Sequence, residues 1–249
     1  MITKKVDFLI IGAQKGGTTA LYYYLRNHPE IEMEQEKELH FFDDENAFAK
    51  TPPNYLTYES QFENKKGARI FGEATPNYLY WIPSCQRILA YNTNIKLIAL
   101  LRNPIERAYS HWNMEFKRNA EFANFEFCIE SEKKRLAKVH PHQHRVYSYI
   151  DRGMYAEQIK RYKKFFNEDQ LLFIKYEDFK NNNEKVLIKI FNFLGANSML
   201  YNFVPSVYNN SKYTNTLLPE TKNHLINLFS MNISEVEKLL NWDCSDWLR

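Results

Sequence analysis

Four short apolar runs divide this chain: 6–11 (VDFLII), 69–72 (RIFG), 95–101 (IKLIALL) and 171–176 (LLFIKY), each bounded by turn-forming residues. Such runs are too short for helices and read as strands buried on both faces of a parallel sheet. Between them lie amphipathic patterns at 18–26, 84–91, 104–118, 155–166 and 184–194. Strand alternating with helix predicts an α/β fold, a central parallel sheet flanked by helices on both faces. The helix at 104 has the clearest start: Asn103 as N-cap, Pro104 in the first turn, and Glu106 spaced to close a capping box.

With 249 residues, no internal repeat and no low-complexity linker, the chain reads as one domain, 1–249. Apolar residues at 44% and aromatic residues at 16% exclude a disordered chain. The formal charge of +3 is spread among mixed signs. It gives no footprint for nucleic acid, yet it permits anionic ligands. Cys85, Cys128 and Cys244 lie far apart without a CxxC pair, so they are expected to be structural thiols. The opening MITKKVDFLIIGAQ has lysines before an apolar run, but the run is short and carries Asp7, as a strand would. No stretch reaches membrane-span length, so a soluble, cytoplasmic protein is expected.

After the first run comes Gly12-Ala-Gln-Lys15-Gly16-Gly17-Thr18-Thr19, and then a helix. Glycines let main-chain N–H groups converge, and the helix N-terminus adds partial positive charge, so the loop suits an anion. The pattern is P-loop-like, with Gly12 and Gly17 at the GxxxxG spacing and Thr19 at the Ser/Thr place. Thr18, however, stands where the lysine belongs, and the 95–101 run ends in Arg102 and not in a magnesium-holding Asp. Both departures count against a magnesium-dependent phosphotransferase. The plainer alternative is a glycine turn with a solvated lysine.

Further segments sharpen the reading: Lys15-Gly-Gly-Thr-Thr-Ala-Leu, Lys37-Glu38-Leu39-His40-Phe41-Phe42-Asp43, Gly72-Glu-Ala-Thr-Pro-Asn-Tyr78, and Leu101-Arg102-Asn-Pro-Ile-Glu-Arg-Ala-Tyr-Ser110. Tyr176-Glu-Asp-Phe179 and the closing Leu239-Leu-Asn-Trp-Asp-Cys-Ser-Asp-Trp-Leu248 follow in the same order of type. Taken in order, these resemble the sulfotransferases that use 3'-phosphoadenosine 5'-phosphosulfate (PAPS), above all the heparan sulfate and bacterial carbohydrate branch. The resemblance covers nearly the whole chain.

It implies transfer of a sulfuryl group from PAPS to an acceptor hydroxyl or amine, releasing adenosine 3',5'-bisphosphate (PAP), without a metal. The acceptor would be a carbohydrate, a lipid or a small-molecule alcohol. By the same resemblance Lys15, Gly16, Gly17, Thr18, Thr19 and Ala20 hold the 5'-phosphosulfate, and Arg102 with Ser110 holds the 3'-phosphate. The amides at the start of the 104 helix are expected to point with Ser110 toward Arg102. Ser211, Lys212 and Tyr213 match the loop that closes over the nucleotide.

Glu38 is implied as the base that removes the acceptor proton, with Glu73 next in line. A hydroxyl attacks poorly until its proton has somewhere to go. The competing reading makes Glu30, Glu32, Glu34, Glu36 and Glu38 a solvated acidic loop. His40 either orients the site or packs. Ala74 stands where the heparan sulfate enzymes carry a lysine, so no role for that lysine transfers.

His140, His142 and His144 form a possible metal tract without acidic or thiol partners, and metal binding is not expected there. Lys133, Lys134, Arg135 and Lys138 read as a solvated helix face that an anionic glycan could use. Two rivals stand beside the transferase: the magnesium-dependent P-loop phosphotransferase, and a non-catalytic nucleotide- or polyanion-binding module.

Overall fold

A computed structural model describes residues 5–49, 52–62, 67–139, 143–203 and 216–249. In chain order the elements are β1 (Phe8–Gly12), α1 (Thr18–Arg26), β2 (Ile31–Met33), α2 (Tyr55–Glu59), β3 (Ile70–Ala74), α3 (Ile82–Tyr91), β4 (Lys96–Leu101), α4 (Pro104–Lys117), α5 (Phe125–Leu136), α6 (Tyr155–Phe165), β5 (Leu171–Lys175), α7 (Tyr176–Asn181), α8 (Asn183–Leu194) and α9 (Pro219–Leu240). The sheet runs β2-β3-β1-β4-β5. Its β1–β3, β1–β4 and β2–β3 pairs are parallel.

The α/β architecture is as expected, a central parallel sheet flanked by helices. All four apolar runs become strands. The three residues of β2 escaped notice, because alternating glutamates masked Ile31 and Met33. Three helices, α2, α7 and α9, were also not anticipated, and of α5 only the face at 133–138 was.

The described residues divide into two compact units, one within 1–100 and 162–210, the other within 101–161 and 211–249. In the first, alternation along each strand sends Phe8, Ile10, Ile31, Met33, Ile70, Ile98, Leu100, Leu172 and Ile174 into one core with α1, α7 and α8. Leu9, Ile11, Phe71, Leu97 and Ala99 alternate with them and are buried too, which is why these strands read as continuous apolar runs. Gly72 sits opposite Phe8 in the ladder, and a Cβ there would lie 2.0 Å from the Phe8 ring. The β1–β3 pairing therefore depends on that glycine.

In the second unit Asn103 Nδ2 donates to Trp247 O at 3.3 Å, tying the start of α4 to the C-terminal turn. The buried Glu132 of α5 accepts the main-chain N–H groups of Tyr149, Ile150 and Asp151 at 2.7–2.8 Å. A carboxylate that receives three amides closes a turn much as a helix cap would. No helix among the described residues is long and apolar enough to cross a membrane.

Candidate active site

The β1–α1 loop folds tightly onto the end of β4. Ala13 N–H donates to Leu100 O at 2.7 Å, and Gly16 N–H donates to Ala13 O at 2.9 Å. A Cβ on Gly16 would lie 2.5 Å from Leu100 O, so only glycine fits. Gly17 takes φ +93 against the ring of Tyr176 and forms the N-cap of α1. Having no side chain, it caps none of the first-turn N–H groups. Those amides, together with Lys15 at φ 68, make a concentration of positive partial charge of the kind that binds oxyanions. Thr18 is buried, whereas Lys15, Gly17, Thr19 and Ala20 keep partial exposure.

The segment after β2 presents the second cluster. Glu38 and His40 both have left-handed backbones, at φ 72 and 54. Lys37 Nζ bonds Glu38 Oε1 at 2.5 Å, and His40 Nε2 stands 3.6 Å from Glu38 Oε2. His40 Nδ1 lies 2.9 Å from Oδ2 of the buried Asp43, which also accepts from Asn77 Nδ2. Burial pushes the Glu38 carboxyl up, but His40 and Lys37 outweigh it and hold it at about 2, below the ordinary 4.5. With its side chain 40% exposed, Glu38 is an ionised carboxylate that an incoming molecule can reach.

The acidic run around it is not the single solvated loop of the competing reading. Glu30 forms a two-bond pair with Arg69, at 2.7 and 3.1 Å. Glu32 and Glu34 are buried, and Glu34 Oε1 accepts the Ala74 N–H at 3.0 Å. Glu73, next in line as base, is fully buried. Its carboxylate accepts from Tyr58, Thr75 and Tyr78. It has no exposed surface from which to reach an acceptor.

Arg102 follows β4 as expected, and its guanidinium grips Glu106 Oε2 at 2.6 and 3.1 Å. Glu106 is therefore engaged by Arg102, where a capping box would have turned it toward the Asn103 amide. Asn103 Oδ1 itself accepts from Ile105 N–H at 2.9 Å and Glu106 N–H at 3.4 Å. The opening amides of α4, expected to point at a ligand, are thus occupied by the cap. What α4 can offer an anion is Arg102 at its start and Ser110, which is buried within it. Ser211, Lys212 and Tyr213 lie outside the described residues, as do His140 and His142.

His144 is structural: its Nδ1 accepts from the Val146 and Tyr147 amides, and its ring stacks on Tyr147 at 4.3 Å. Arg135 departs from the expected solvated helix face. It pairs with Glu121 at 2.7 Å and covers the Tyr147 ring at 3.7 Å. Lys133, Lys134 and Lys138 are exposed. The three cysteines are buried free thiols, and burial pushes Cys128 up to about 12. Among the described residues no cluster of three His, Cys, Asp or Glu is arranged to hold a metal.

Lys37, Asp43, Thr75, Asn77 and Tyr78 gained no role from sequence, although all stand inside the segments that carry the resemblance. The spacing from His40 to Asp43 was the available signal, since an i, i+3 pair within a turn can meet.

This geometry has counterparts in known proteins. The family model described as "Sulfotransferase domain" matches residues 5–224. The chain is 26% identical to the membrane-associated sulfotransferase kil1 of Dictyostelium discoideum, over 95% of this chain and 65% of that protein. It is 29% identical to heparan sulfate glucosamine 3-O-sulfotransferase 3B1 of Homo sapiens, over 77% of this chain and 46% of that one. It thus spans less than two thirds of either relative's length. The crystal structure of a sulfotransferase from Alicyclobacillus acidocaldarius has a TM-score of 0.84 at 29% identity, covering 99% of this chain and 100% of that one. With a family match across most of its length, a glycine loop closing onto β4 and a reachable carboxylate beyond β2, this chain belongs to the sulfotransferase domain family.

Proposed function

We propose that the protein transfers the sulfuryl group of PAPS to an acceptor hydroxyl, or to an amine, and releases PAP. The observation that carries this reading is Glu38: an ionised, reachable carboxylate, held between Lys37 and His40, in the same compact unit as the uncapped loop before α1. In the transfer the acceptor O–H bond breaks and its proton passes to Glu38. The acceptor oxygen bonds to sulfur as the bond from sulfur to the phosphate oxygen breaks in line. Negative charge then grows on the departing phosphate oxygen, where Lys15 and the amides of the 17–20 segment stabilise it.

The donor set suits such a ligand, since it combines main-chain N–H groups, an ammonium and the hydroxyls of Thr18 and Thr19. Arg102 and Ser110 are assigned to the 3'-phosphate, the group that separates PAP from AMP, and Ser211, Lys212 and Tyr213 to the closing loop. Transfer of label from PAPS to a panel of polysaccharides, small glycosides, lipids and simple alcohols, run in EDTA, tests the reaction. Calorimetric titration of PAP, AMP and ATP tests the donor. Each charge-assisted contact contributes about 1.5–3 kcal/mol, so PAP should bind at least about a hundredfold more tightly than AMP. Arg102→Ala should erase most of that difference. Equal affinity for PAP and AMP, or tight ATP binding that needs magnesium, would overturn the reading.

A further inference from the structure

Glu73 is a fully buried carboxylate, and it cannot touch an acceptor. Its surroundings give it another part to play. Three hydroxyls converge on it: Tyr58 at 3.0 Å, Tyr78 at 3.1 Å from both oxygens, and Thr75. An ionised carboxylate only accepts, and a hydroxyl has one proton, so each of these groups spends its proton on Glu73. The lone pairs left over face the other way. Thr75 Oγ1 accepts the His40 N–H at 3.3 Å, and Tyr78 Oη accepts the Phe41 N–H at 3.0 Å and the Phe42 N–H at 3.4 Å. Three consecutive amides of the turn that carries the base are thereby tied, through two hydroxyls, to one carboxylate.

That turn needs such a tie. Glu38 and His40 both sit in the left-handed region without being glycine, a conformation that persists only where the surroundings over-determine it. The Asp43 carboxylate holds the His40 ring, but nothing in that contact fixes the main chain at 40–42. Glu34, which feels the charge of Glu73, has one oxygen on the Ala74 N–H and the other buried without a hydrogen-bond partner. With three donors on Glu73, the negative charge of the pair resides there and the proton on Glu34.

We propose that Glu73 is a positioning residue for sulfuryl transfer, its carboxylate orienting the Thr75 and Tyr78 hydroxyls so that they hold the His40–Phe42 amides and thereby aim Glu38. This rests on Glu38 being the base. The Gln at position 73 in a Glu73→Gln variant would bring a donor to the same place. One hydroxyl would then have to turn its lone pair toward that amide and its proton toward the N–H of the turn.

The test compares Thr75→Val, Thr75→Ser, Glu73→Gln and the Glu73→Gln/Thr75→Val double variant. Each is read by kcat, by KM for PAPS, by PAP affinity and by hydrogen exchange at the amides of 40–42. Thr75→Val should lower kcat by at least about tenfold, the scale of a misaimed reacting group, with KM and PAP affinity unchanged. His40 should exchange faster while β1 and β4 amides stay protected, and Thr75→Ser should restore both readouts. In Glu73→Gln the faster exchange should extend to Phe41 and Phe42, and adding Thr75→Val should lower kcat no further. Wild-type exchange at His40 in Thr75→Val, an unchanged kcat, or a loss that serine does not restore would overturn the proposal. Should Glu73→Gln fail to fold, the Val and Ser pair decides alone. If the wild-type protein transfers nothing from PAPS, the assignment of function fails by itself, while exchange still tells whether Glu73 holds the turn.

Discussion

His40 presents Nδ1 to the buried carboxylate of Asp43 at 2.9 Å. Because a carboxylate only accepts, Nδ1 donates to Asp43, and this contact turns Nε2 toward the second carboxylate, Glu38, at 3.6 Å. An Asp43→Asn variant keeps the shape and removes the charge, so the imidazole loses the charged acceptor that orients it. The expected result is a fall in kcat of about a hundredfold, within the range for acid–base contributions, with PAP affinity unchanged. Steady-state kinetics together with calorimetry check it, and near wild-type turnover would remove His40 and Asp43 from the transfer step.

The ionisation of Glu38 is set by its neighbours more than by its burial. The charged form is favoured by His40 and Lys37, and its carboxyl stands at about 2. Removing the ammonium in Lys37→Ala takes away part of what favours that form, so the carboxyl must rise toward 4.5. The acid limb of the kcat/KM profile, which follows the free enzyme's essential base, should move upward by about one pH unit. A limb that stays in place would mean that another group governs it.

Glu34 and Glu73 make the fold sensitive to pH from the alkaline side. Burial, then the charge of Glu73, pushes Glu34 well above 4.5, and burial likewise raises Glu73. Asp43 adds to the repulsion on Glu73, and Lys37 relieves that on Glu34. A carboxyl whose folded value exceeds its unfolded one stabilises the fold fully below the unfolded value, and that contribution is lost as pH rises through the folded value. Thermal melting from about pH 5 to about pH 9 should therefore show the wild-type midpoint falling with pH. Glu34→Gln, which can still accept the Ala74 N–H, should give a flatter curve. Equal slopes would refute the account.

Gly16→Ala tests the anion loop. The added Cβ meets the Leu100 and Ala13 carbonyl oxygens at 2.5 and 2.9 Å, and both are main chain that cannot swing aside. Overpacking of this kind costs about 1–3 kcal/mol. The variant should melt lower and bind PAP at least about tenfold more weakly, since a loop that shifts away from β4 no longer converges its amides. Unchanged PAP affinity by calorimetry would place the nucleotide elsewhere.

The strands at 6–11 and 95–101, the glycine loop and the start of α4 could be read from sequence because each rests on local physics. An apolar run has to be buried, a residue at φ +93 beside a ring has to be glycine, and Asn-Pro has to open a helix. The family segments in order pointed to the family, and from the family came the expectations for Glu38 and Arg102.

What the chain could not disclose locally was where each carboxylate of the 30–38 run would end. Glu30, Glu34 and Glu38 look alike in sequence, yet one pairs with Arg69, one is buried on the Ala74 amide and one faces outward. Their fates were decided when β2 paired with β3 and brought residue 34 beside residue 74. The same pairing set Thr75 and Tyr78 under the turn at 40–42, and no spacing rule foretells that. A hydrogen bond is directional and short-ranged, so its partners exist only once segments some forty residues apart have met. Sequence alone therefore determined which groups could do the chemistry, and tertiary structure decided which of them would be held where chemistry is possible.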